Sequence, residues 1–253
     1  MLKTSLSWLI NAINKTKIPN VQNEHFVPYM GLELEPYILQ KDIAAVHHLI
    51  RYYWALRIIE NLPSTESILD VACGGGYGSY LLSEKFPNIQ VVGADYDKAA
   101  IKKAREIYKN DNLYFIVGDV LEWEKTIGNK TFDIITSFDT LEHVPHREIM
   151  LENIVQHLSK EGKLFLSTPC GTTDNILFPA WQSHKIEFSY ISLYDLMKRY
   201  FNVVLPPDDI RFPHIEIFIK IKESGIDYYN LMNPVVCEQP IQINNPYRHD
   251  LID

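Results

Sequence analysis

The segment Ile68–Gly78, read Ile-Leu-Asp-Val-Ala-Cys-Gly-Gly-Gly-Tyr-Gly, constrains this chain more than any other. An apolar run ends at Asp70, small residues crowd together, and a helical pattern opens at about Ser79. That order describes a buried strand, a tight turn and a helix N-terminus, which together turn backbone N–H groups toward a ligand. Glycines at 74, 76 and 78 tolerate positive φ and admit a ligand where a Cβ would collide. A phosphate-gripping loop of the Walker type needs a Lys-Ser/Thr pair after its glycines; Tyr77 and Gly78 stand there instead. The turn belongs to a nucleotide-binding type of fold, and other segments must identify the ligand.

Downstream, strands and helices alternate with short connections. Strands are predicted at Ser67–Val71, Gln90–Ala94, Leu113–Val117, Phe132–Phe138 and Lys163–Thr168. Helices are predicted at Ser79–Phe86, at Asp97–Asn110 with Asp97 as its cap, and at Ile149–Leu158. This pattern implies an α/β fold: a Rossmann-like, doubly wound, mostly parallel sheet covered by helices on both faces. Past Pro169 the period changes: a Gly, Thr and Pro loop, a helix at about Leu193–Tyr200, then strand-like runs at Phe201–Leu205, His214–Ile221 and near Pro234–Cys237. The tail therefore reads as a C-terminal antiparallel strand pair. Upstream, residues 19–40 read as an irregular arm, and Lys41–Asn61 as an apolar helix ending before Pro63. The expected organisation is an N-terminal helical extension, arm and lid over 1–62, and a single ligand-binding domain over 63–253.

Composition narrows the class. A net charge of −8 argues against nucleic acid or an anionic membrane as the default partner. Three cysteines, Cys73, Cys170 and Cys237, share no metal-like spacing, and the odd count suits a reducing, cytoplasmic setting. No apolar run reaches membrane-spanning length. Met1–Ile18 carries Leu2, Leu6, Leu9, Ile10 and Ile13 at helical spacing, too interrupted by Ser, Asn and Thr for a signal peptide. It reads as an amphipathic helix packed on the body or on a partner.

Asp95 closes the second strand, where a carboxylate meets the ribose hydroxyls of a bound nucleoside. NAD predicts the same acid. A dinucleotide fingerprint needs Gly-x-Gly-x-x-Gly, however, and Ser79 follows Gly74 and Gly76 at the third position. Gly118-Asp119-Val120 then offers a side chain and a backbone N–H to an adenine edge.

The ordered pieces LDVACGGGYG, VVGADYD, GDV, FDIITSFDTLEHV and GKLFLSTP, over roughly residues 67–169, resemble the class I S-adenosylmethionine-dependent methyltransferases. The branch they look most like is that of the ubiquinone-pathway and bacterial polysaccharide-cluster enzymes, to which Glu24–Pro28 and His47…Ala55 are a weaker match. The resemblance implies that Asp70, Ala72, Gly74 and Gly76 cradle the methionine part of S-adenosyl-L-methionine. It implies Asp95 on the ribose, Tyr96 against adenine, Asp119 and Val120 at its amino edge, and Phe138 beside the methionine portion. Ala72 stands where the commonest pattern has Gly.

Methyl transfer needs an aligned nucleophile and, for a hydroxyl, a proton acceptor. Asp139, Glu142 and His143 stand at i, i+3 and i+4 after the fourth strand, so one helical turn places all three on one face. They are the catalytic candidates, with His143 as base. With His184 from the loop after the fifth strand they also resemble the metal-binding set of small-RNA 2′-O-methyltransferases, which implies a Mg²⁺-like ion on Asp139, Glu142, His143 and His184. His47 and His48 read as packing or lid residues, Arg51 and Arg57 as solvated cations within reach of a cofactor carboxylate, and Cys73 as buried. Trp54, Phe178, Trp181, Phe188 and Tyr190 are candidates for an acceptor pocket. The expected activity is methylation of a hydroxyl on a small-molecule, sugar or carrier-linked acceptor, with no nucleic acid partner. N- or C-methylation of a natural product or peptide, an NAD-dependent oxidoreductase and a non-catalytic binding module are the alternatives.

Overall fold

The computed structural model describes residues 25–171, 174, 183–205 and 234–241. After a short helix α1 (Glu35–Leu39), helix α2 (Ile43–Ile59) leads into the alternating core. That core runs β1 (Ser67–Val71), α3 (Tyr77–Lys85), β2 (Gln90–Asp95), α4 (Lys98–Ile107), β3 (Leu113–Val117), β4 (Phe132–Phe138), α5 (Arg147–His157) and β5 (Leu158–Ser167). Then come the two-residue strands β6 (Cys170–Gly171) and β7 (Phe188–Ser189), α6 (Tyr190–Met197), β8 (Phe201–Leu205) and β9 (Val235–Pro240).

The main sheet has seven strands in the order β3-β2-β1-β4-β5-β9-β8. Pairing is parallel from β3 to β5, and β9 runs antiparallel to both β5 and β8. The direction of winding reverses between β1 and β4, so their carboxyl ends splay apart and leave a crevice at that edge. Strands β1 and β4 are almost wholly buried, as expected of central parallel strands with helices on both faces.

Local chemistry accounts for most boundaries. Asp97 accepts from the N–H groups of Ala99 and Ala100, satisfying two donors that α4 leaves open. Asp42 caps α2 through Ala45 N, and Ser189 caps α6 through Ser192 N. That last cap starts α6 three residues before the predicted Leu193, a signal carried by one serine rather than by apolar spacing. Helix α3 likewise opens at Tyr77, because Gly76 at φ +82° turns the chain directly into it. The lead-in to β5 pairs irregularly, with a register shift between Phe132 and Ile134.

Helix α2 is no loose appendage. Leu49, Ile50 and Trp54 are fully buried in the same apolar cluster as Ile68 and Phe165, and the Trp54 ring meets Phe165 at 5.5 Å. The sequence boundary expected at 62/63 thus falls between elements that share one core. The predicted helix over 1–18, the strand at His214–Ile221, and the aromatics Phe178 and Trp181 lie outside the described residues. Among the described residues, no helix is long and apolar enough to cross a membrane.

Candidate active site

The crevice at the carboxyl edge holds a cavity of about 470 Å³, within the size range of small-molecule sites. Its floor is the turn after β1. Ala72 (φ +53°) and Gly74 (φ +54°) both hold left-handed backbone there. Asp95, at the end of β2, fixes the turn: its carboxylate accepts from Gly74 N at 2.8 Å and from Asp97 N at 2.9 Å. Each carboxylate oxygen keeps a further lone pair for a ligand hydroxyl.

Nine of the residues expected to bind cofactor or take part in catalysis wall this cavity. They are Ala72 and Gly74 from β1, Asp95 and Tyr96 from β2, Asp119 and Val120 from β3, and Phe138, Asp139 and His143 from the β4 end. Tyr96 is largely exposed, while Phe138 is packed edge-on against Tyr52 at 4.9 Å.

Asp70 and Gly76, both expected in the cradle, are not on the cavity wall. The fully buried Asp70 carboxylate accepts hydroxyl hydrogen bonds from Ser79 (2.6 Å), Thr136 (2.7 Å) and Tyr52 (3.2 Å). It braces β1 against β4, α3 and α2 from behind. Burial pushes its carboxyl up to about 6 against those three donors, with the Asp95 charge adding to the rise. Gly76 faces inward: a Cβ there would stand 2.7 Å from both Ala104 and the Phe115 ring. Gly78 serves packing too, since a Cβ would collide with the Tyr52 ring at 1.9 Å. Only Gly74 of the three opens to the cavity, with the His25 imidazole 3.0 Å from where its Cβ would be.

Asp139 is on the cavity wall but is placed apart from the trio expected of it. Its backbone is left-handed (φ +47°), and its N–H donates to Ser167 O at 3.0 Å. The side chain meets α2 rather than Glu142: Oδ2 contacts Arg51 Nη1, with His47 Nε2 at 3.3 Å and His48 Nδ1 at 3.7 Å. Burial opposes its charge, but the Arg51 guanidinium and the two imidazoles prevail and hold the carboxyl well below its usual range. Burial and the same Arg51 charge pull His47 below its usual range, against the nearby Asp139 carboxylate.

Glu142, His143 and His184 do converge. One donor atom from each lies within 4.8 Å of the others, and the His143 and His184 rings meet edge to face at 4.9 Å. Two hydrogen bonds organise the trio: Lys185 N to Glu142 O at 2.7 Å pins the segment around His184 to the turn, and His184 Nδ1 pairs with Glu187 Oε1 at 2.9 Å. Glu142 is fully buried, with Oε2 accepting from Thr168 Oγ1 at 2.7 Å and Oε1 receiving no hydrogen bond among the described residues. Burial and the charge of Asp139 push its carboxyl up to about 8. One carboxylate and two imidazoles do not match the all-oxygen shell that Mg²⁺ prefers, and Asp139 is engaged elsewhere. The Mg²⁺ expectation is therefore not carried forward.

Sequence reasoning undervalued helix α2 and the arm. Arg51, read as solvated, is 1% exposed and walls the cavity beside His48, which stacks on Phe26 at 4.7 Å. The signal was present: a cation set among Leu49, Ile50, Trp54 and Leu56 has no polar face to occupy. His25, Phe26 and Lys185 also line the cavity. Trp54 and Phe188 are core residues instead, the former under Phe138, the latter in the cluster around Ile135.

Comparison with known proteins agrees with this geometry. A family profile described as a methyltransferase domain matches residues 62–199, more than half of the chain. The malonyl-[acyl-carrier protein] O-methyltransferase of Bacillus cytotoxicus is 30% identical over 134 residues, 53% of this chain and 46% of that protein. The ubiquinone biosynthesis O-methyltransferase of Glaesserella parasuis is 32% identical over 110 residues, 41% and 45% of the respective chains. The chain thus matches just under half the length of these relatives. Among solved structures, the plantazolicin methyltransferase BamL, in complex with a desmethyl analogue and SAH, superposes with a TM-score of 0.58 at 13% identity, covering 81% of this chain and 90% of that one. With the strand order, the turn after β1 and the profile match in agreement, this chain belongs to the family of methyltransferase domains.

Proposed function

We propose that this protein transfers a methyl group from S-adenosyl-L-methionine to a hydroxyl oxygen of a small-molecule, sugar or carrier-linked acceptor. The observation that carries the reading is one cavity with two unlike ends. Asp95, Tyr96, Asp119 and Val120, at the ends of β2 and β3, offer a nucleoside seat; past β4 His143 walls the same cavity, grouped with Glu142 and His184, which are themselves not on the wall. Bound S-adenosylmethionine supplies an activated methyl on a sulfonium, and transfer breaks the sulfur–methyl bond as the oxygen–methyl bond forms, leaving a neutral thioether.

The protein's own residues do the rest. Asp95, its turn-facing lone pairs taken by Gly74 and Asp97, presents the remaining ones to the ribose hydroxyls. Asp119 accepts from Leu121 N at 2.9 Å, which fixes its carboxylate at the rim to meet the adenine amino group. Ala72 and Gly74 bring backbone against the methionine chain, and Phe138 shields it from water. His143 accepts the acceptor hydroxyl's proton, an imidazole being suited to that task near neutral pH. Glu142 Oε1 lies 3.8 Å from Nε2 of His143, near enough to orient that imidazole, while burial and the charge of Asp139 hold its carboxyl above the usual range.

Two curated relatives are named O-methyltransferases, which fits oxygen as the target, while the phosphoethanolamine N-methyltransferase 1 of Arabidopsis thaliana, 32% identical over 112 residues, keeps the amine alternative in play. The test is direct. Purified protein with S-adenosylmethionine is offered hydroxyl, amine and carbon acceptors, among them sugars and carrier-linked thioesters, and S-adenosylhomocysteine release is measured. Turnover confined to amine or carbon acceptors would replace this reading with its N- or C-methyltransferase alternative.

A further inference from the structure

The charged groups on the cavity wall are unevenly committed. Arg51 is paired with Asp139. Asp95 and Asp119 accept from backbone N–H groups and stand at the nucleoside seat. Lys185 is the exception: it walls the cavity, and among the described residues its ammonium makes no ion pair. The acids near it in the chain are engaged elsewhere, Glu187 with His184 Nδ1 at 2.9 Å and the fully buried Glu142 with Thr168 at 2.7 Å. In a chain of net charge −8, this patch of wall carries the opposite sign.

The backbone of Lys185 is held in place. Its N–H donates to Glu142 O at 2.7 Å, and Glu142 directly precedes His143, so one hydrogen bond brings Lys185 and His143 to the same wall. On either side His184 and Ile186 are buried, which anchors the segment, while Lys185 between them is exposed. A flexible four-carbon stem then lets the ammonium follow a ligand group beside His143.

We propose that Lys185 binds an anionic group, a carboxylate or a phosphate, carried by the acceptor a few bonds from the atom that is methylated at His143. The inference rests on the acceptor reading above and deepens it by naming the substrate's charge. An ammonium is a point charge with three rotatable donors, so it reads negative charge rather than a planar shape and admits either anion. A proton taken up by His143 adds a second positive charge to this wall, and an anion on the acceptor offsets it where a neutral acceptor does not. The carboxylates of the nucleoside seat repel the same anion. Attraction at Lys185 and repulsion at Asp95 and Asp119 together set which end of the acceptor enters first.

The test uses matched pairs of acceptors: hydroxy acids against their amides, and sugar phosphates against the free sugars. S-adenosylhomocysteine release gives kcat and KM for each. The wild-type chain is expected to use the anionic member of at least one set with kcat/KM at least tenfold higher, and the set with the larger preference identifies carboxylate or phosphate as the anion. Lys185→Met should shrink that preference below threefold, mainly by raising KM for the anionic member. Lys185→Arg should keep most of it, and Lys185→Glu should invert it. Added salt should weaken the preference in the wild-type chain and leave Lys185→Met unchanged, because an exposed ammonium is screened. S-adenosylhomocysteine affinity within twofold of wild type shows that each variant is folded.

Equal use of both members, or a preference that survives Lys185→Met, overturns the proposal and leaves the cofactor reading intact. Where no member is turned over, the same pairs are titrated into the protein saturated with S-adenosylhomocysteine and the preference is read from Kd. No binding there, or a preference indifferent to Lys185, overturns it as well. Turnover of amine acceptors alone, with a preference for anionic amines that Lys185→Met abolishes, upholds the anion site while replacing oxygen as the target. A wild-type chain that does not bind S-adenosylhomocysteine removes the cofactor reading and the proposal with it.

Discussion

The two ends of the cavity differ in how their polar atoms are satisfied. At the nucleoside end, both oxygens of Asp95 are held by backbone N–H groups, and those of Asp70 behind it are held by three hydroxyls. At the other end, Arg51, Asp139 and Glu142 each keep one buried atom without a hydrogen-bond partner among the described residues. The first arrangement is a preorganised seat whose shape exists before the ligand arrives. The second is charged and partly unsatisfied, the condition expected where ligand atoms complete the bonding.

The proposed division of labour fails if His143 proves to bind cofactor rather than handle the acceptor. His143→Gln is therefore the largest test. It should lower kcat about 10²- to 10⁴-fold, the usual range for a lost general base, and leave S-adenosylhomocysteine affinity within twofold. A matching loss of affinity would merge the two ends.

The brace beneath the seat can be tested by pH. Folding raises the Asp70 carboxyl to about 6 from an ordinary value near 4, so the folded chain holds this proton more tightly than the unfolded one. The resulting stability is full below pH 4 and is lost as pH rises through 6. The difference is on the order of 3 kcal/mol for a shift of two units. Urea unfolding from pH 4 to 7 should show this slope in the wild-type chain, superposed on other groups, and Asp70→Asn should remove it.

The glycines sharpen the comparison within a single turn. Gly78→Ala should destabilise by about 1–3 kcal/mol, because its new methyl meets the buried Tyr52 ring. Gly74→Ala should cost about 1 kcal/mol for its left-handed backbone, yet weaken cofactor binding more than Gly78→Ala does. Thermal melts with and without S-adenosylhomocysteine separate the two effects. The smallest effect expected is that of magnesium. Adding Mg²⁺ after exhaustive chelation should change the rate less than twofold, and specific rescue by Mg²⁺ would restore the site of two carboxylates and two imidazoles that Asp139 was expected to complete.

Much of this fold was legible because its signals are local. Strands β1, β3, β4 and β8 match their predicted limits residue for residue, and the Asp97 cap stands where its side chain predicted. Alternation of short apolar runs with capped helices depends on neighbours a few residues apart, which a sequence displays directly. The candidate site residues were legible as a group near one sheet edge, but not in their contacts. The spacing of Asp139, Glu142 and His143 suggested one shared face, yet Asp139 turned away to Arg51, 88 positions earlier, through a left-handed backbone that no spacing rule anticipates.

By itself, then, the sequence determined the doubly wound α/β plan, the Gly-rich turn as its ligand edge and the acid that closes β2. Each follows from local periodicity, capping and the steric demands of a turn. The tertiary structure alone decided which glycine faces the cavity and which two support packing, and that Asp70 braces the sheet while Asp95 stands on the cavity wall. It also decided that an arginine in an apolar helix is a cavity-wall residue. Those outcomes depend on which distant surfaces are pressed together, where burial strips water from a charge and leaves only the partner that the fold supplies.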